Sequence, residues 1–132
     1  QIAMPAAKLA LGYPFAAINR LKNIVGIANA RHLMFTAQRM GADWAAQAGF
    51  AQQIVPKADL AQVVTDYANT IAANAPMTVA AMKFISTQVL TDPDLRDLER
   101  GQAMVDACFA SEDFKEGRRA FMEKRTPQFQ GK

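Results

Sequence analysis

His32 is the only histidine and Cys108 the only thiol among 132 residues. Such a set cannot supply the cluster that holds a zinc ion, and no metal site is expected. The same shortage leaves His32 as the one candidate base for a serine or cysteine nucleophile. It stands in Ala30-Arg31-His32-Leu33-Met34-Phe35, the setting of a helix-surface or half-buried residue more than of a catalyst. Neither G-x-G-x-x-G nor G-x-x-x-x-G-K-S/T occurs, so the loops that cradle nucleotide phosphates at a helix N-terminus are missing. The carboxylate pairs Asp92/Asp94 and Glu112/Asp113 fall at expected helix starts, where favourable interaction with the helix dipole accounts for them without catalysis. Between Lys115 and Lys132 the chain carries Lys115, Arg118, Arg119, Lys124, Arg125 and Lys132 against only Glu116 and Glu123. That basic end could meet phosphate groups; the alternative is a solvated helix face.

These residues need elements to position them, and the apolar spacing supplies helices. Over 57–75, Leu60, Val63, Val64, Tyr67 and Ile71 form one stripe at helical spacing. Asp59 with Gln62 three residues on has the spacing of a capping box, and Pro76 breaks the run. Pro76 also suits the first position of a second helix carrying Val79, Met82, Phe84, Ile85 and Val89 and ending near Leu90. Asp92-Pro93 repeats the start signal ahead of Leu95, Leu98, Met104, Val105, Cys108 and Phe109. Ser111-Glu112-Asp113 caps a last helix with Phe114, Phe121 and Met122, which Pro127 stops. In the first 56 residues glycines and prolines punctuate shorter segments. Helices are expected near 15–24, 28–35 and 42–48, and short extended pieces near Phe35 to Met40 and Ala51 to Val55.

A composition that is 51% hydrophobic can bury one domain's core. No apolar run approaches the roughly 18 residues of a membrane span, and Lys8, Arg20 and Lys22 interrupt the most apolar stretch. A soluble, non-membrane protein is expected. A lone cysteine cannot close an intramolecular disulfide, which points to a reducing, cytoplasmic setting. The opening Gln-Ile-Ala-Met-Pro has neither an initiating methionine nor the pattern of a secretion signal. A trimmed chain without a targeting segment is the expectation. The basic end has no recognised nucleic-acid motif and no interleaved aromatic platform, so no nucleic-acid partner is expected.

Several separate stretches, in order along nearly the whole chain, resemble the enoyl-CoA hydratase/isomerase (crotonase) family. Met4-Pro5-Ala6-Ala7-Lys8-Leu9 through Tyr13 looks like the segment after the family's catalytic-loop strand, and Arg20-Leu21, Val25-Gly26, Ala30-Arg31 and Leu33 to Ala37 look like the helix pair that follows. Ala42, Ala45-Ala46, Gly49-Phe50 and Ile54-Val55-Pro56 resemble its A-x-x-A, G-L-V and V-V-P signature. Ile71-Ala72, Asn74-Ala75-Pro76, Val79 and Lys83 resemble its helix junction. Phe109, Ser111-Glu112-Asp113, Glu116-Gly117, Ala120-Phe121, Glu123-Lys124-Arg125, Pro127 and Phe129 resemble its C-terminal signature.

The resemblance implies a mainly α chain with short β segments: the C-terminal part of the α/β crotonase-like spiral fold, in which ββα turns stack into a core. Residues 1–56 would be the end of that core and 57–132 the helical region that mediates trimers, often paired into hexamers. It implies an acyl-CoA-processing enzyme of hydratase or isomerase type, with coenzyme A as part of the substrate, no further cofactor, and a homo-oligomer. In the family, paired backbone N–H donors stabilise an enolate at the thioester carbonyl while glutamates move the proton or water. The stretch supplying those donors has no counterpart in these residues, so the chain alone is expected to be inactive. A typical hydratase has glutamate directly after the proline aligned with Pro5; here Ala6 stands in its place, which leaves no catalytic residue to assign and puts two-glutamate water addition in doubt. Tyr13, Pro14 and Phe15 fall where the family lines its acyl pocket, with packing as the alternative. Phe121 and Lys124 align with the family's adenine-contacting aromatic and phosphate-contacting lysine, three residues apart on one expected helix face. The alternatives are packing of Phe121 against Phe114 and a solvated charge at Lys124. A different class of reading is a non-catalytic helical oligomerisation module derived from the family.

Overall fold

The computed structural model describes all residues, Gln1–Lys132. It contains six α-helices: α1 (Phe15–Thr36), α2 (Ala42–Gln47), α3 (Leu60–Ala72), α4 (Pro76–Val89), α5 (Leu98–Ala110) and α6 (Glu112–Glu123). Short 3-10 turns cover Pro5–Leu9 and Pro93–Leu95. The chain divides into two compact units, Gln1–Ala58 and Asp59–Lys132.

In the first unit, the two helices expected over 15–24 and 28–35 appear as one run broken at Gly26, whose φ of 75° and ψ of 160° no helix contains. A side chain there would be strained, so the glycine makes the kink. Beyond it α1 ends with Ala37 in the left-handed conformation, its N–H donating to the Leu33 carbonyl. Val25, Ala30 and Ala48 form the buried cluster, against which Leu21, Met34 and Trp44 pack. Leu33 is fully buried.

The extended pieces expected near 35–40 and 51–55 are corrected. Thr36 belongs to α1, and the only β pairing is a single antiparallel bridge in which Ile2 and Met40 exchange backbone hydrogen bonds of 3.0 and 2.8 Å. Ala51 to Val55 makes no strand. A strand needs a neighbour to satisfy its backbone groups, and within these residues only Ile2 provides one.

In the second unit α4 and α5 pack along each other, and the helix starts show which capping signals act. Ser111 accepts from the Phe114 N–H at 3.0 Å, as its position suggests. Asp59 does not cap α3; its backbone is already helical, and Gln62 donates to Asp66 instead. Asp92 opens only the 3-10 turn, and α5 is capped five residues later by Asp97, which accepts from the Arg100 N–H at 2.9 Å. Gly101 lies buried in α5 where an added Cβ would stand 3.5 Å from Ile85 Cγ1 and 3.9 Å from Phe84 Cε1, so α4 and α5 approach closely at that point. The apolar stripe of α3 is different. Leu60, Val64, Tyr67 and Ile71 are all exposed, and no residue of that helix is buried.

Candidate functional site

The polar chemistry of the second unit gathers where the segment after α6 returns along that helix. Asp113 and Glu116 are one turn apart and so share a helix face. Asp113, only 4% exposed, accepts from the Gln130 N–H at 2.7 Å and the Gly131 N–H at 2.8 Å, one on each oxygen. Its own N–H donates to the Lys132 carbonyl at 3.1 Å. Glu116 accepts from the Gln128 N–H at 3.1 Å and from both terminal nitrogens of Arg125 at 2.6 and 2.9 Å. The Arg125 bonds, followed by that of Gln128, hold the Glu116 carboxyl down to about 2. Its partner's guanidinium is pushed up correspondingly, by Glu116 first and then by Glu123. Glu112 is lowered by its hydrogen bond and charge interaction with Lys115 at 2.6 Å.

The Glu112/Asp113 pair is therefore not one feature. Glu112 is an exposed first-turn acid, whereas Asp113 clamps the returning backbone. Much of the expected basic end is likewise internally paired: Lys115 with Glu112, Arg119 with Glu116 at 3.9 Å, and Arg125 with Glu116 and Glu123. Arg118 stands 5.8 Å over the Phe114 ring. Lys124 takes part in none of these ion pairs.

Beside this clamp runs an apolar groove of about 730 Å³, bounded by Met77, Met82 and Ile85 of α4, Val105, Cys108 and Phe109 of α5, Phe114 and Phe121 of α6, and Phe129 beyond it. Phe109 and Phe114 meet edge to face with ring centres 5.2 Å apart. Phe121 is 86% exposed, so the alternative of packing against Phe114 is not adopted. Lys124 terminates α6 in the left-handed conformation, φ 53° and ψ 41°. It has left the helix, so the expectation of one helix face shared with Phe121 is corrected to adjacency at the helix end.

In the first unit, Ala6 is half-buried in the Pro5–Leu9 turn and its carbonyl accepts from the Leu11 N–H at 3.0 Å. Pro14 is the cap residue of α1, with Tyr13 and Phe15 exposed on either side of it. His32 is exposed on α1. No group of three His, Cys, Asp or Glu side chains stands close enough to hold a metal ion, and no helix is long and apolar enough to cross a membrane. Asp113 and Glu116 are the residues whose role the sequence reading missed. Their i, i+3 spacing, followed by a helix stop at Pro127, was the available signal.

The helical arrangement is that of the C-terminal part of a crotonase fold, as superposition on a solved enoyl-CoA hydratase of Geobacillus kaustophilus shows, with a TM-score of 0.81 at 29% identity over 98% of this chain and 51% of that one. A family model described as enoyl-CoA hydratase/isomerase matches residues 1–132, and the chain belongs to that family. It is 34% identical over 122 residues to the short-chain-enoyl-CoA hydratase of Clostridium acetobutylicum, covering 92% of this chain and 46% of that protein. It is 31% identical over 131 residues to the methylmalonyl-CoA decarboxylase of Escherichia coli, covering 97% of this chain and 50% of that one. The crystal structure of an enoyl-CoA hydratase from Mycobacterium marinum superposes with a TM-score of 0.79 at 28% identity, over 98% of this chain and 52% of that chain. The chain spans about half the length of the curated relatives it matches.

Proposed function

We propose that these residues form the coenzyme A-facing and assembly portion of an enzyme acting on a CoA thioester. The carrying observation is the family match across residues 1–132. The relatives' names share a CoA thioester but differ in reaction, hydration in one and decarboxylation in another. A residue other than glutamate at Ala6 favours a reaction that does not add water through two carboxylates, such as isomerisation. Tyr13, Pro14 and Phe15 line the acyl side, and Phe121 and Lys124 take the adenine ring and a phosphate. A flat exposed aromatic beside an unpaired ammonium suits a phosphorylated adenine by stacking and charge. The protein works as a homo-oligomer, a trimer or a pair of trimers.

Catalysis on a thioester draws most of its rate from preorganised donors at the carbonyl oxygen. The 132 residues taken alone therefore do not turn over crotonyl-CoA above the buffer rate; a clear rate from them overturns that part. Isothermal titration of the full-length protein with coenzyme A tests the binding part. Saturable binding that weakens in Phe121→Ala is the expected result, and undiminished binding refutes the assignment.

The exposed stripe Leu60, Val64, Tyr67 and Ile71 on α3 favours a second reading, a non-catalytic helical oligomerisation module. Native mass measurement separates the two. A module assembles discretely from these residues alone, whereas part of an enzyme exposes apolar surface and aggregates.

A further inference from the structure

The segment Thr126–Lys132 has no regular secondary structure, yet it is held at definite points. Gln128 N–H is bound by Glu116, Gln130 and Gly131 N–H by Asp113, and the Lys132 carbonyl by the Asp113 N–H. Gly117 leaves room for the Phe129 ring: a Cβ on that glycine would meet Phe129 Cε1 at 3.5 Å. Further on, a Cβ at Gly131 would stand 3.2 Å from Pro76 Cγ, so the segment reaches from the end of α6 to the first turn of α4. It thereby places Phe129 in the wall of the apolar groove.

From this geometry we infer that residues 126–132 are a strap latched by the Asp113 and Glu116 carboxylates, detachable without unfolding α6, whose release withdraws Phe129 from the groove wall. Three of its backbone donors end on side-chain oxygens of just two residues, so attachment depends on acceptors that a substitution, or an anion-competing ligand, can remove. A helix, by contrast, keeps its own backbone bonds when a side chain changes. Charge-assisted bonds of this kind are the stronger ones, which explains how so short a segment stays ordered. Of the two carboxylates, Glu116 faces cations, pairing with Arg119 and Arg125, while Lys115 is engaged by Glu112 and Asp113 is held by backbone N–H groups.

Amide hydrogen exchange on the full-length protein tests the strap. In the native protein the amides of Gln128, Gln130 and Gly131 are expected to exchange at least about tenfold more slowly than unstructured amides. In Asp113→Asn, which keeps one acceptor oxygen and replaces the other with a nitrogen that cannot accept, at least one of the Gln130 and Gly131 amides loses that protection while the α6 interior keeps it. In Phe129→Ala the strap amides stay protected, because the carboxylates and not the ring hold them. Binding of the apolar dye 8-anilinonaphthalene-1-sulfonate rises in Asp113→Asn above its native level. Unprotected strap amides in the native protein overturn the inference. So does loss of α6 protection together with the strap, retention of strap protection in Asp113→Asn, its loss in Phe129→Ala, or unchanged dye binding.

Discussion

Lys124 lets stability and binding be moved in opposite directions by one substitution. It ends α6 at φ 53° and ψ 41°, a left-handed conformation that costs a residue with a side chain about 1–2 kcal/mol. Glycine escapes that cost but gives up about 0.5–1 kcal/mol more chain freedom on folding. Lys124→Gly is therefore expected to be more stable by roughly 0.5–1 kcal/mol. No compensating contact is lost, since Lys124 is exposed and outside every ion pair. If its ammonium meets a coenzyme A phosphate, removal costs an amount between a surface ion pair and a charge-assisted hydrogen bond. That is roughly 0.5–1.5 kcal/mol, or about 2- to 12-fold in affinity. Urea unfolding with an unchanged denaturant slope reads the first effect, and calorimetric titration with coenzyme A at low and high salt reads the second, which salt diminishes. A less stable glycine variant refutes the backbone argument. One that binds coenzyme A as tightly as the native protein refutes the phosphate role.

Phe121→Ala leaves unfolding within about 0.5 kcal/mol of native because the ring is already solvated. It weakens coenzyme A binding by about 5- to 150-fold if the ring stacks on adenine, as titration shows. Gly101→Ala meets Ile85 Cγ1 at ordinary van der Waals distance and gains helix propensity, so urea unfolding should show about 0.5–1 kcal/mol of stabilisation. Gly101→Leu wedges α4 from α5 and costs about 1–3 kcal/mol in the same experiment. The Glu116 carboxyl lies below its ordinary value of 4.5, at about 2. The folded state therefore holds fewer protons there than the unfolded state. Its stabilising contribution is complete above 4.5 and is lost as pH falls from 4.5 through about 2, and Glu116→Gln flattens that part of the acid unfolding curve. Val64→Lys with Tyr67→Lys on the exposed α3 stripe leaves helicity by circular dichroism unchanged and lowers the assembled mass in native mass spectrometry; an unchanged mass removes α3 from the interface.

Much of the architecture is legible because local rules governed it. The stripes of α3 and α4, proline at the first position of α4, and serine before α6 act within one or two turns, and the structure obeys them. The errors arise where a local signal had a competitor. Asp59 and Gln62 have capping-box spacing, but Gln62 finds Asp66 on its own helix face. Asp92-Pro93 opens a turn, and Asp97 five residues later captures the helix start. Ile54-Val55 reads as strand, yet no partner strand lies within these residues to complete it.

The order of residue types along the chain is enough to specify family membership, the helix sequence and the shortage of metal ligands and nucleophile pairs. None of these needs contacts distant in sequence. Folding decided which charges remain available. Arg125 and Lys124 are neighbours of like sign, but one is bound by Glu116 nine residues back and the other is unpaired. It also separated Asp113 from Glu112, burying one against backbone seventeen and eighteen positions away and leaving the other in solvent. Spacing rules describe neighbours on one element, whereas the availability of a charge depends on which distant donors the chain brings back to it.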